Sequence, residues 1–289
     1  MPAQIILNAD DFGLTHGINR AIGELHSAGV LTSATLMANG AAFDDAVEIA
    51  RAHPALGVGC HIVLTDGAPV SPPGSIRSLI GADGINFRPS LVDFVQALLL
   101  GRINEEEVAR EALAQIEKLQ GAGIHPTHID THKHTHLFPS IARPLLQVAE
   151  HCGIRAIRNP FEPEWSLALN HGGRARRLAV RLVGLLRPRF EAHARIRDRR
   201  VLTTDGTVAI SATGQLNAAT LGEILRALPL SGIYELCCHP GYNDGELDRV
   251  ATRLRAHREV EREALLAELP RALGAVNSPS LDHYGSLAE

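Results

Sequence analysis

Aromatic residues are scarce in this chain: one tryptophan, three tyrosines and seven phenylalanines among 289 residues. So few rings leave few flat platforms on which a long ligand could stack. Cysteine is scarce as well, and Cys60, Cys152, Cys237 and Cys238 show no C-x-x-C spacing, so neither a zinc ribbon nor a disulfide framework is indicated. A reduced, cytoplasmic setting fits that usage. No apolar run approaches the roughly 18–20 residues of a membrane span. Ile5-Ile6-Leu7 is too short for a signal-peptide core and runs straight into Asn8-Ala9-Asp10-Asp11. An excess of positive charge is also missing: the net charge of −4 argues against a general nucleic-acid binder. With 45% hydrophobic and 21% charged residues, the composition is that of a soluble globular protein able to bury a full core. No internal repeat, low-complexity segment or linker is visible, so residues 1–289 read as one domain.

Histidine, by contrast, is plentiful at 15 residues. The run His128-Ile129-Asp130-Thr131-His132-Lys133-His134-Thr135-His136 puts four histidines and an aspartate at every second position, which in an extended strand is one face. Imidazoles with carboxylate neighbours suit a divalent transition metal. Alternate residues lie about 6.6–6.8 Å apart, so only one or two of the five can reach a single ion. The remaining ligands must come from elsewhere in the chain.

The spacing predicts strands over 4–9, 32–38, 56–63, 126–132, 153–160 and 232–239, with a last edge strand near 280–284. Helices are expected over 16–28, 43–52, 91–100, 104–120, 139–151, 217–228 and 246–268, with Pro270 just beyond the last. Strand and helix signals alternate, which implies a mostly parallel α/β sheet, open or closed into a barrel. In such folds ligands bind at the C-terminal ends of strands. Asp10 and Asp11, His61, His132, Arg158 and His239 all fall at such ends. The long loop 64–90, rich in proline and glycine, follows His61 closely and can wall a pocket.

Two histidines and a carboxylate leave open positions on a metal, as catalysis requires. A spare carboxylate beside them can act as base on a water, and a further histidine can protonate a leaving amine. The constellation points to metal-assisted hydrolysis of an amide or ester.

The motifs Asn8-Ala9-Asp10-Asp11-Phe12-Gly13, Gly59-Cys60-His61-Ile62-Val63-Leu64-Thr65, Thr127-His128-Ile129-Asp130-Thr131-His132-Lys133-His134 and Cys238-His239-Pro240-Gly241 resemble those of the YdjC-like carbohydrate deacetylases. That family includes chitooligosaccharide deacetylases and hopanoid-biosynthesis-associated deacetylases. The resemblance covers residues 4–160 well and 205–245 more loosely. It implies a TIM-like (β/α) barrel, distorted or incomplete, and removal of the N-acetyl group from an amino sugar. By matching motif, Asp11, His61 and His132 would hold one divalent metal ion, Zn2+ or Mg2+. Asp10 would be the water-activating base and His239 the acid or substrate-polarising group. His128, Asp130, His134, Arg158 and Asn39 would support the site or contact the sugar.

Residues 174–200 match no family motif and carry ten arginines around six leucines and valines, Leu178 to Leu186. This Arg-rich insertion reads as a solvated helix, a membrane-surface helix or an anion-binding face. The substrate is therefore either a soluble oligosaccharide or a lipid-linked amino sugar, and the shortage of aromatics favours a short one. A homodimer would be unsurprising, and no nucleic-acid partner is expected. Rival readings are a metal-dependent phosphoesterase and a noncatalytic sugar-binding protein.

Overall fold

The computed structural model describes residues 3–274 and 278–288; residues 1, 2, 275–277 and 289 of the expected single domain lie outside it. Along the chain run β1 (Gln4–Phe12), α1 (His16–Ser27), β2 (Ser33–Leu36), α2 (Phe43–Ala52), β3 (Gly57–Ile62), α3 (Leu91–Leu99), α4 (Glu105–Gly121), β4 (Ile129–Thr131) and α5 (Pro139–His151). There follow α6 (Glu164–Leu167), α7 (Arg174–Gly184), α8 (Arg187–Glu191), α9 (Ala194–Arg197), β5 (Gly206–Val208), α10 (Ala218–Ala227), β6 (Ile233–Cys238), α11 (Ala256–Leu273) and β7 (Ser280–Asp282).

The strands form one parallel sheet in the order β4-β3-β2-β1-β6-β5, with β7 beside the first third of β1. The sheet curls into a distorted barrel. Between β4 and β5 the ladder gives way to single bridges, Ile129 to Ile157 and Ala156 to Leu202. The expected strand over 153–160 is thus reduced to bridge residues, and β5, only three residues long, had no periodicity to betray it.

Helix starts follow their caps. Thr15 accepts from Ile18 N ahead of α1, and Asn104 accepts from Glu106 N at 2.8 Å ahead of α4. Ile18, Ala21, Ile22 and Leu25 of α1 are buried against the sheet, as their spacing dictates. The last long helix differs from expectation. Asp244 Oδ1 accepts from Glu246 N and Leu247 N, and Thr252 Oγ1 from Leu254 N, so local side-chain bonds hold 244–254 in turns. Helix α11 consequently starts only at Ala256, and it continues through Pro270 to Leu273.

Two backbone departures shape the mouth of the barrel. Asp11 adopts φ 66, and the register against β2 shifts between Ala9 and Phe12. Such a bulge re-aims side chains, so two adjacent carboxylates both reach the site. The second departure ends the histidine-rich strand at Thr131. Lys133 and His134 have φ 58 and 53 inside a 3-10 turn over His132–Leu137, and Thr131 Oγ1 meets His136 Nδ1 at 2.7 Å across it. The five alternating groups therefore do not share one face, because the strand stops before His132.

Candidate active site

At the C-terminal ends of β1, β3 and β4, Asp11, His61 and His132 each present a ligand atom within 4.8 Å of the others. His61 Nε2 lies 3.7 Å and His132 Nδ1 3.3 Å from Asp11 Oδ1, and the two ring nitrogens are 3.3 Å apart. Asp11 Oδ1 is buried without a hydrogen-bond partner. A carboxylate oxygen left bare between two imidazole nitrogens is what a divalent cation would satisfy. Asp130 Oδ1 sits 2.8 Å from His61 Nδ1, which directs the other ring nitrogen toward that point.

Two neighbouring groupings, Asp10 with Cys237 and His239 and Asp10 with His61 and Asp130, are also compact. They fit a cation less well. Arg158 takes both Asp10 oxygens, at 2.9 and 2.6 Å, and burial pushes the Cys237 thiol well up, away from the thiolate a metal needs.

Arg158 is fully buried and also meets Asp130 Oδ2 at 2.5 Å and Glu235 Oε1 at 2.5 Å. Burial alone would push Asp10 up; Arg158, with His61 and His239, instead holds it well below the usual carboxylate range. His239 Nε2 stands 3.8 Å from Asp10 Oδ2. Burial lowers the His239 pKa to about 4, so its ring is neutral at neutral pH. For His61 burial also disfavours charge, but Asp130, Asp10 and Asp11 outweigh it and raise the pKa to about 9.

That shift has a measurable consequence in chelator-treated protein. A pKa raised from 6.5 to about 9 on folding stabilises the protein fully below pH 6.5, and the contribution is lost as pH rises through 9. Thermal unfolding should therefore show stability falling by on the order of 3 kcal/mol between pH 6.5 and 9. His61→Gln should flatten that slope; an equal slope in the variant would rule His61 out as its source.

Arg258 and Glu261, both on α11, were not anticipated. Arg258 is 1% exposed and donates from Nη2 to Asp11 Oδ2 at 2.6 Å, leaving Oδ1 to face the histidines. A Cβ on Gly241 would meet Arg258 Cδ at 3.1 Å, so the glycine of Cys238-His239-Pro240-Gly241 makes room for this arginine. Glu261 accepts from His239 N at 2.6 Å, and burial raises its pKa to about 7. Charged residues on a charged helix read as solvated, and only the tertiary structure shows these two turned inward.

The remaining expected residues divide. Asn39 donates to Ala68 O at 2.7 Å, and its Oδ1 is buried without a partner. Lys133 pairs with Asp66, so the 64–90 loop does reach the turn that carries His132. His134 is half-buried in that turn with Nδ1 unpartnered, while His136 is fully buried against Thr131 and Arg158 O. His128 lies apart from the mouth. It is fully buried two residues before Asp130, stacked on Tyr284 at 3.9 Å and pressed against Gly59, so packing takes the place of its expected sugar contact.

Comparison with known proteins places the chain among related sequences and folds. A family model described as YdjC-like protein matches residues 4–273. A carbohydrate deacetylase of Brevibacillus brevis is 44% identical over 147 residues, which is 51% of this chain and 56% of the relative. A chitooligosaccharide deacetylase of Salmonella typhimurium is 40% identical over 157 residues, 53% of this chain and 58% of the relative. The matched stretch thus spans little more than half the length of these curated relatives. Among solved structures, a candidate cellobiose-phosphate cleavage protein of Enterococcus faecalis V583 superposes with a TM-score of 0.78 at 26% identity, covering 99% of each chain.

Proposed function

The chain belongs to the YdjC-like protein family, and from that premise we propose that it is a metal-dependent hydrolase that removes the N-acetyl group from an N-acetylated amino sugar. The observation that carries the metal is the bare, buried Asp11 Oδ1 between His61 Nε2 and His132 Nδ1. One divalent ion, Zn2+ or Mg2+, is assigned to those three residues. When bound, it supplies the Lewis acidity that polarises an amide carbonyl and acidifies a water.

The rest falls to the chain's own side chains. Asp10, kept ionised by Arg158, accepts the proton of the attacking water. A proton on Asp10 is disfavoured beside the guanidinium, so it passes to the neutral His239 ring at 3.8 Å, which delivers it to the departing amine. Asp130 orients His61, and Arg258 orients Asp11. Asn39 and His134 have buried unpartnered atoms, Oδ1 and Nδ1, that suit the sugar. We read the chain as one domain acting in the cytoplasm, consistent with its four free cysteines; among the described residues no helix is long and apolar enough to cross a membrane. The substrate is a short sugar, free or lipid-linked.

Acetate release tests the assignment. Metal-stripped protein should be silent on N-acetylglucosamine, short chitooligosaccharides and an N-acetylglucosaminyl lipid. Added Zn2+ or Mg2+ should restore turnover of at least one, and His132→Ala should abolish it. Folded protein with one ion bound and no acetate from any of these acetamides would overturn the deacetylase reading in favour of another amide, ester or phosphoester hydrolase.

A further inference from the structure

Helix α7 turns its leucines outward. Leu178, Leu182 and Leu185 recur at the i, i+4, i+7 spacing of one helix face and are 59%, 57% and 75% exposed, whereas Val180 and Val183 on the opposite side are half-buried against the protein. Three leucines on a solvent-facing stripe leave more than half of their surface in water and gain little from folding. Arg174 and Arg181 flank the stripe and are exposed, Arg181 in a surface pair with Glu164 at 3.2 Å that a lipid phosphate can replace. Residues 174–200 carry ten arginines and two acidic residues, Glu191 and Asp198, in a chain whose net charge is −4; Glu191 pairs with Arg187, Asp198 with Arg197, and from outside the segment Glu164 pairs with Arg181 and Glu150 with Arg195 and Arg200. Among the described residues Arg174 and Arg189 make no ion pair, so part of this charge is unneutralised by the protein itself.

We propose that α7 and the arginines that follow it dock this protein on an anionic bilayer surface. The leucines enter the boundary between headgroups and acyl chains, and the arginines meet the lipid phosphates. A helix with an apolar stripe bordered by arginines fits that interface on both counts. Neither alternative occupant uses both features. Nucleic acid would engage the arginines and leave the leucines in water. A second copy would cover the leucines but bring the unpaired Arg174 of each chain against the other's basic stripe edge.

Docking there would also orient the barrel. Arg176 Nη1 donates to Thr213 O at 2.6 Å, and the adjacent Gly214 bonds Glu261, the residue that holds His239 N. The helix is therefore tied through one loop to the rim of the site. This inference stands apart from the deacetylase reading, since it predicts binding rather than turnover.

Vesicle co-sedimentation of the full chain tests it, with phosphatidylcholine vesicles prepared with and without phosphatidylglycerol. The wild type should pellet with the anionic vesicles only. Binding should weaken about tenfold or more in Leu178→Gln/Leu182→Gln/Leu185→Gln, and to a similar extent in Arg174→Gln/Arg181→Gln or on raising the salt. Unchanged thermal melting shows that the variants fold. No pelleting with anionic vesicles, or equal pelleting by the leucine variant, would overturn the proposal. So would a wild-type dimer in analytical ultracentrifugation that the leucine substitutions convert to monomer, because the stripe would then be covered by a second copy.

Discussion

Replacing Arg158 by methionine should lower the melting temperature by about 10 °C or leave the protein insoluble, since unpairing a buried charge costs about 3–5 kcal/mol. The reason lies in the surroundings of this one guanidinium. It is fully buried and bonded to Asp10, Asp130 and Glu235, each also buried. Without it three carboxylates stand together in low dielectric with no cation but His61. Arg158→Lys should rescue only partly, because a single ammonium cannot present the planar fork that meets three acceptors. Burial already raises the pKa of Glu235, and Tyr284 donates to it, so Glu235→Gln in the Arg158→Met background should recover part of the lost stability. Thermal unfolding of the two single variants and the double variant measures this. A melting temperature unmoved by Arg158→Met would show that the cluster is not held by its cation.

Asp10→Asn should reduce kcat by about 10²–10⁴ while leaving KM and metal content nearly unchanged. The amide keeps the shape of the carboxylate and can still accept from Arg158, but it cannot take a proton from water. Asp11→Asn should behave differently, because Asp11 faces His61 and His132 while Asp10 faces Arg158. That variant should lose the metal first and activity as a result. Elemental analysis of the purified variants beside their acetate-release kinetics separates the two outcomes. Loss of metal from Asp10→Asn with metal retained in Asp11→Asn would exchange the roles of the adjacent carboxylates.

The parts of this protein that could be read from sequence are those whose causes are local. Asn104 caps α4 and Pro139 opens α5, and both helices begin where those residues place them. Alternation of strand and helix located the strand ends, so Asp11, His61 and His132 could be expected near one another. Longer-range causes stayed hidden. The turn after Thr131 depends on a bond between Thr131 and His136, and a run of alternating histidines gives no sign of it. Asp11 at positive φ is invisible in a strand pattern, though it decides where both carboxylates point. Arg258 and Glu261 sit in a helix so rich in charge that a buried arginine and glutamate cannot be told from solvated ones. The late start of α11 has the same origin as the turns before it: Asp244 and Thr252 satisfy backbone amides that a helix would otherwise claim.

The pairing of β1 carries a consequence for how the chain is made. From Gln4 to Ala9 this strand is bonded to Ile233–Cys238, and from Gln4 to Ile6 also to Ser280–Asp282, whereas β2 reaches only Asn8, Ala9 and Phe12. On the ribosome β1 therefore waits for partners encoded about 230 residues later. At typical elongation rates that delay is about 10–45 s, during which an apolar edge stands open. Chains stopped before residue 233 should be aggregation-prone and should recruit holdase chaperones. Completion of β6, rather than emergence of β1 to β3, is the step at which the nascent protein becomes safe from its neighbours.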